Sequence, residues 1–249
     1  MKHPVFAANW KMNQAPADAK AFVRQFTDYF HRQQDRTVLI FPPALTLFAV
    51  VEALKDRPDI QVGVQNIHWE DKGAFTGENS APIARAAGAR YTLVGHSERR
   101  HVFGETDEET TKKTAAAVRA GLTPLVCVGE TIAQRTAGET EAVVLRQLRA
   151  AFAQADAHHI ASSLVAYEPV WAIGSGNTAS PADASAVHAV IRRELRGLTE
   201  GREEAVPILY GGSVSSGNAK SLLAAPGVDG VLVGGASLDA DGWASIVRA

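Results

Sequence analysis

The chain has 249 residues, 46% hydrophobic, 21% charged and 7% aromatic, with a formal net charge of -2. This globular composition excludes a disordered or collagen-like chain, and near-neutral charge without basic clusters argues against nucleic acid as the main partner. No run of about 18 apolar residues offers a membrane span, and the lone Cys127 excludes an internal disulfide framework and suits the reducing cytoplasm.

Along the chain, short apolar runs alternate with longer amphipathic stretches. Val5–Ala8 reads as the first strand, and Phe22, Phe26, Tyr29 and Phe30 mark one face of the helix after it. Thr37–Phe41 and Ile60–Val64 are the next strands, and a polar loop with a short helix near Ile83–Ala87 follows the second of these. Tyr91–Val94 and Thr123–Val128 come next, with capping boxes at Thr106…Glu109 and Thr131…Gln134 opening helices behind them. Ser163–Tyr167 is followed by Ser180-Pro181, an N-cap with Pro at the first helical position. Val187, Val190, Ile191, Leu195 and Leu198 line one face of that helix, and Pro207–Tyr210 and Gly230–Val233 complete eight strands.

Strict alternation of strand and helix implies an α/β protein with a mostly parallel sheet covered on both faces. Eight strands allow closure into a (β/α)8 barrel, although an open doubly wound sheet would share the alternation. No linker of distinct composition divides the chain, so residues 1–249 read as one domain.

In a barrel, chemistry belongs at the C-terminal strand ends. There the sequence places Asn9 and Lys11, His96, Glu168, Gly211-Gly212-Ser213 and Gly234-Gly235. The two glycine turns leave backbone N–H groups free to face an anion, and their place after the last two strands matches the recurrent phosphate site of barrels. Either turn alone could be an ordinary tight connection. Neither is followed by the Gly-Lys-Ser/Thr of a P-loop. Gly174-Ser175-Gly176-Asn177-Thr178-Ala179 formally fits a dinucleotide fingerprint, but Glu194, 20 residues on, falls within a helix rather than at a strand end, and the NAD reading is set aside.

Glu168, between an apolar strand and Pro169, has the position of a general base, or of an ion-paired strand-end carboxylate. His96 precedes a short helix whose positive end would favour the neutral imidazole by lowering its pKa; it could equally be packed or solvated. Lys11 could be a solvated tip, and Cys127, inside a strand, reads as structural. His158-His159 lacks metal-ligand spacing, so no metal is expected.

The ordered segments Ala8–Asn13, Gly73–Glu78, Gly95–Arg100, Tyr167–Gly174, Tyr210–Val214 and Val233–Leu238 resemble the triosephosphate isomerase family over essentially the whole chain. The resemblance implies a TIM barrel with its active site at the C-terminal strand ends. It also implies cofactor-independent interconversion of dihydroxyacetone phosphate and D-glyceraldehyde 3-phosphate through an enediolate, in glycolysis and gluconeogenesis. Glu168 would be the base and His96 the neutral electrophile, a pairing for which this family is a standard example. Asn9 and Lys11 would contact substrate and stabilise charge, while Gly174, Ser213, Gly234 and Gly235 would hold the phosphate. Pro169–Gly176 would be a lid, with Ser175 and Asn177 departing from the residues usual in the family. The loop Gly73–Glu78 would insert into a second subunit, giving a homodimer. The phosphate turns alone would also suit another phosphate-handling barrel isomerase or lyase, but the set Asn9, Lys11, His96 and Glu168 argues against it.

Overall fold

The computed structural model describes residues 3–174 and 179–249. Its strands are β1 (Val5–Asn9), β2 (Thr37–Phe41), β3 (Ile60–Val64), β4 (Tyr91–Val94), β5 (Thr123–Val128), β6 (Leu164–Tyr167), β7 (Ile208–Tyr210) and β8 (Gly230–Val233). They pair in parallel in chain order, and β8 returns to β1 with Gly230 opposite Val5. That last pairing closes the barrel and removes the open-sheet alternative.

The helices among the described residues are α1 (Pro16–Tyr29), α2 (Leu47–Ala53), α3 (Ala81–Ala86), α4 (Ser97–His101), α5 (Asp107–Arg119) and α6 (Ile132–Thr136). They continue with α7 (Thr140–Phe152), α8 (Ala157–Ala161), α9 (Pro181–Leu198), α10 (Ala219–Leu223) and α11 (Ala240–Val247). The capping boxes at Thr106 and Thr131 are formed, and Ser180 completes a third with Asp183 ahead of Pro181. Each box satisfies backbone donors that a helix start leaves unpaired.

Period-two alternation sorts the strand side chains into two cores. Val5, Ala7, Leu39, Leu93, Leu125 and Leu232 point with Phe41 and Cys127 into the barrel. Phe6, Ala8, Val38 and Ile40 face outward, with Phe22, Phe26 and Trp243 of the surrounding helices. Gly63 on β3 has a packing reason, since a Cβ there would collide with the Phe41 ring. Tyr29 departs from the expected buried face and is half-exposed. The chain leaves α1 at Phe30, whose ring stacks on Phe26 with centroids 5.4 Å apart and seals that end of the core.

Candidate active site

Every residue that the sequence singles out as a site candidate lines one cavity of about 250 Å³ at the C-terminal strand ends. Asn9, Lys11, His96 and Glu168 line it together with Gly174, Ser213, Gly234 and Gly235, and with Gly211, Gly212 and Val214. Strand polarity explains the convergence, because a closed parallel barrel brings all eight strand ends to one mouth.

Glu168 follows β6, its backbone N–H bonded to Val128 O at 2.8 Å. Its carboxylate is 2% exposed. Oε2 accepts from the Ser97 backbone N–H at 2.9 Å, and Oε1 accepts from the Ser97 hydroxyl at 3.2 Å. Oε1 also lies 3.0 Å from Nε2 of His96. Burial pushes the Glu168 pKa up, but His96 and the Ser97 hydrogen bonds outweigh it and hold the carboxyl below its ordinary value. The Glu168 carboxylate is therefore ionised where it rests.

His96 is the N-cap of α4, and its Nδ1 accepts the backbone N–H of Glu98 at 3.2 Å. A lone pair so occupied leaves the proton of a neutral ring on Nε2, facing the cavity side. Burial lowers the His96 pKa, yet Glu168 beside it lifts the balance above the ordinary histidine value. This reverses the sequence expectation of a pKa lowered by the helix end. The physical reason is a full charge at 3.0 Å, against which the partial charge of a five-residue helix is small.

Asn9 Oδ1 accepts the Lys11 backbone N–H at 3.0 Å, which turns the Asn9 amide nitrogen toward His96 Nε2 at 3.1 Å. Lys11 stands in the left-handed region at φ 53°, and Gln65 Nε2 donates at 2.8 Å to its carbonyl oxygen. The ammonium of Lys11 is 2.5 Å from Glu98 Oε1. Three nitrogen donors thus approach the cavity from β1 and β4.

The glycine turns have tighter causes than the sequence suggested. A Cβ on Gly211 would come within 2.8 Å of Glu168 Cγ, and one on Gly212 would collide with the Tyr210 hydroxyl. One on Gly234 would lie 3.1 Å from Lys11 Cε, whereas Gly235 has open space. Of the expected lid, Val170–Ala172 form a 3-10 turn, and Ile173 and Gly174 reach the cavity. Ser175, Gly176 and Asn177 lie outside the described residues.

The sequence reading assigned no role to Ser97, Glu98 or Glu130. Ser97 holds the Glu168 carboxylate, Glu98 pairs with Lys11, and the fully buried Glu130 accepts from Tyr167 Oη at 3.1 Å and Trp171 Nε1 at 2.9 Å. A charged residue just beyond an apolar strand was a usable signal for Glu130. Cys127 is buried inside the barrel, as expected of a structural thiol.

A sequence model of triosephosphate isomerase matches residues 4–249. The chain belongs to the triosephosphate isomerase family. A triosephosphate isomerase of Solibacter usitatus (strain Ellin6076) is 47% identical with both chains covered in full. That of Herpetosiphon aurantiacus is 46% identical, covering all of this chain and 99% of the relative. The crystal structure of triosephosphate isomerase from Bartonella henselae superposes with a TM-score of 0.88 at 37% identity, covering 98% of this chain and 97% of that one. Likeness to the triosephosphate isomerases thus extends over sequence and fold together.

Proposed function

We propose that this protein interconverts dihydroxyacetone phosphate and D-glyceraldehyde 3-phosphate, with Glu168 as the base and His96, Asn9 and Lys11 as the electrophilic donors. The observation that carries the reading is one cavity lined by an ionised buried carboxylate, three nitrogen donors and two glycine turns. Family membership gives the reaction its substrate.

Glu168 leaves Ser97 and takes a proton from C1 of dihydroxyacetone phosphate, while Nε2–H of His96 supplies the C2 oxygen. Glu168 then returns its proton to C2, and the hydroxyl proton passes from the C1 oxygen to His96. Protons balance and no electrons leave the substrate. A preorganised donor of this kind contributes about 2.7–4 kcal/mol, and a positioned acid or base roughly 10²–10⁴-fold. Once the carboxylate turns to substrate, the larger of the two charges that raise the His96 pKa moves off; burial, Lys11 and the Glu98 amide then favour the neutral ring against the smaller pull of the Glu98 carboxylate.

Gly174, Ser213, Gly234 and Gly235 are assigned to the phosphate, whose binding supports a closed geometry at the reacting carbons without taking part in the chemistry. Lys11, with its Cε close to Gly234, bridges the two ends of the cavity.

The protein is read as one domain that works as a homodimer in the cytoplasm. Support for the dimer comes from a group of exposed apolar side chains after β1 to β4, among them Met12, Leu45, Phe48, Phe75, Val102 and Phe103; beyond it, Ile132 after β5 is exposed as well. A second cavity of about 530 Å³, lined by Met12, Gln65, Glu98 and Phe103, adjoins Lys11 and His96 and offers a seat for the partner's loop Gly73–Glu78. No helix among the described residues is long and apolar enough to cross a membrane.

The test is isomerisation of D-glyceraldehyde 3-phosphate, with Glu168→Gln beside wild type. Product from wild type alone supports both reaction and base. Turnover by neither removes the reaction, and a panel of other sugar phosphates then takes its place.

A further inference from the structure

One guanidinium outside the cavity touches the elements on both sides of the base. Arg135, on α6, lies over the Trp171 ring with Cζ 4.6 Å from its centroid. Its Nη1 is 3.5 Å from Glu130 Oε1, and its Nη2 donates to Asp183 Oδ1 at 2.6 Å. Resting on the reading of Glu168 as the base, we propose that Arg135 is a positioning residue that fastens the turn after Glu168 to the first turn of α9.

Each contact of Arg135 leads back to the backbone that carries Glu168. Glu130 accepts from the Tyr167 hydroxyl on the near side of Glu168, and from the Trp171 indole N–H on the far side. The Glu130 carbonyl oxygen accepts from Val170 N at 3.1 Å. Thus the residue before Glu168 and the second and third residues after it all converge on Glu130. That carboxylate has no exposure to water, and Arg135 supplies a cation beside it. A buried charge stripped of its cation is costly, and its hydrogen bonds rearrange.

On the other side, Asp183 accepts from Ser180 N at 3.0 Å and Ser180 Oγ at 2.7 Å, which closes the capping box of α9. Arg135 therefore joins the Glu130 cluster to the capping box of α9. Only a planar cation can stack on an indole while reaching carboxylates along two edges; a lysine offers a point charge. Arg135 does not line the cavity, so it acts through the backbone beside Glu168 and not by touching a bound substrate.

The experiment is steady-state isomerisation of D-glyceraldehyde 3-phosphate by wild type, Arg135→Gln, Arg135→Lys, Asp183→Asn and the double variant Arg135→Gln/Asp183→Asn. Arg135→Gln is expected to lower kcat by about tenfold or more with KM within about twofold, since roughly 1 Å of misplacement can cost about 10²-fold. Arg135→Lys is expected to recover only part of kcat, and the double variant to lose no more than Arg135→Gln alone, because both changes open one clasp. Tryptophan emission gives a readout independent of turnover: Arg135→Gln should shift it in the wild-type background and leave it unshifted with Trp171→Phe. Unchanged kcat, a loss carried by KM, or full additivity with Asp183→Asn would each overturn the proposal. If Arg135→Gln does not fold, Arg135→Lys carries the same kcat-against-KM comparison. Wild type without isomerisation overturns the role of Glu168, and with it the positioning role, while the emission shift still reports on the contact.

Discussion

The carboxylate of Glu168 rests 3.0 Å from His96 Nε2, and the residue after that histidine, Ser97, gives it both a backbone and a hydroxyl hydrogen bond. The end of β4 and the start of α4 therefore hold both His96 and the resting place of the Glu168 carboxylate. Burial alone would favour a neutral Glu168, and these donors decide instead for the anion. The carboxylate rests charged, out of water and against the cavity.

Shortening that side chain tests the geometry. Glu168→Asp is expected to keep KM near wild type and lower kcat by about 10²-fold, because one missing methylene displaces the carboxylate by roughly 1 Å. Steady-state kinetics with D-glyceraldehyde 3-phosphate measures it. Near-normal turnover would remove Glu168 from the base role.

Gly234 tests the anion end. A Cβ there already approaches Lys11 Cε at 3.1 Å, so Gly234→Val should crowd both Lys11 and the phosphate. KM is expected to rise by about tenfold or more, roughly the effect of 1.4 kcal/mol of lost binding. An unchanged KM would place the phosphate elsewhere.

Acid stability should report His188, which is buried in α9 with Nδ1 2.9 Å from Gly227 O. Burial holds its pKa down to about 4, from the ordinary 6.5. The unfolded chain takes up this proton below 6.5 and the folded one only near 4. Its contribution is therefore whole above pH 6.5 and is lost as pH falls toward 4, by up to about 3 kcal/mol. Urea unfolding at pH 7 and pH 5, at fixed protein concentration, should show His188→Asn losing less stability between the two than wild type. Equal losses would contradict the assignment.

The dimer is tested through its loop. Replacing Gly73–Glu78 by a shorter turn should yield a monomer by analytical ultracentrifugation, with isomerase activity down by at least about tenfold. Phe75, half-exposed and resting on His68 with ring centroids 4.3 Å apart, belongs to the side expected to be covered. A truncated protein that still sediments as a dimer would move the interface away from this loop.

Much of this was legible in residue order. Val5, Thr37, Ile60, Tyr91, Thr123 and Gly230 begin strands where the apolar runs begin, because buried parallel strands write a contiguous signal. The caps at Thr106, Thr131 and Ser180 are equally local, each a bond across three residues. Glu168, His96 and Lys11 could be selected by type and strand-end position. Ser97 and Glu98 could not be given roles, since their partners Glu168 and Lys11 lie 71 and 87 residues away.

Residue order alone accounts for the alternation of strand and helix, the caps and the small set of polar groups and glycines at strand ends. Each depends on periodicity or on neighbours a few residues apart. The closure of β8 on β1, the need for a small residue at Gly211 beside Glu168, and the upward shift of the His96 pKa all arise in the folded barrel. Those outcomes follow from distances across the barrel, where a charge or a Cβ a few ångströms away outweighs any local preference.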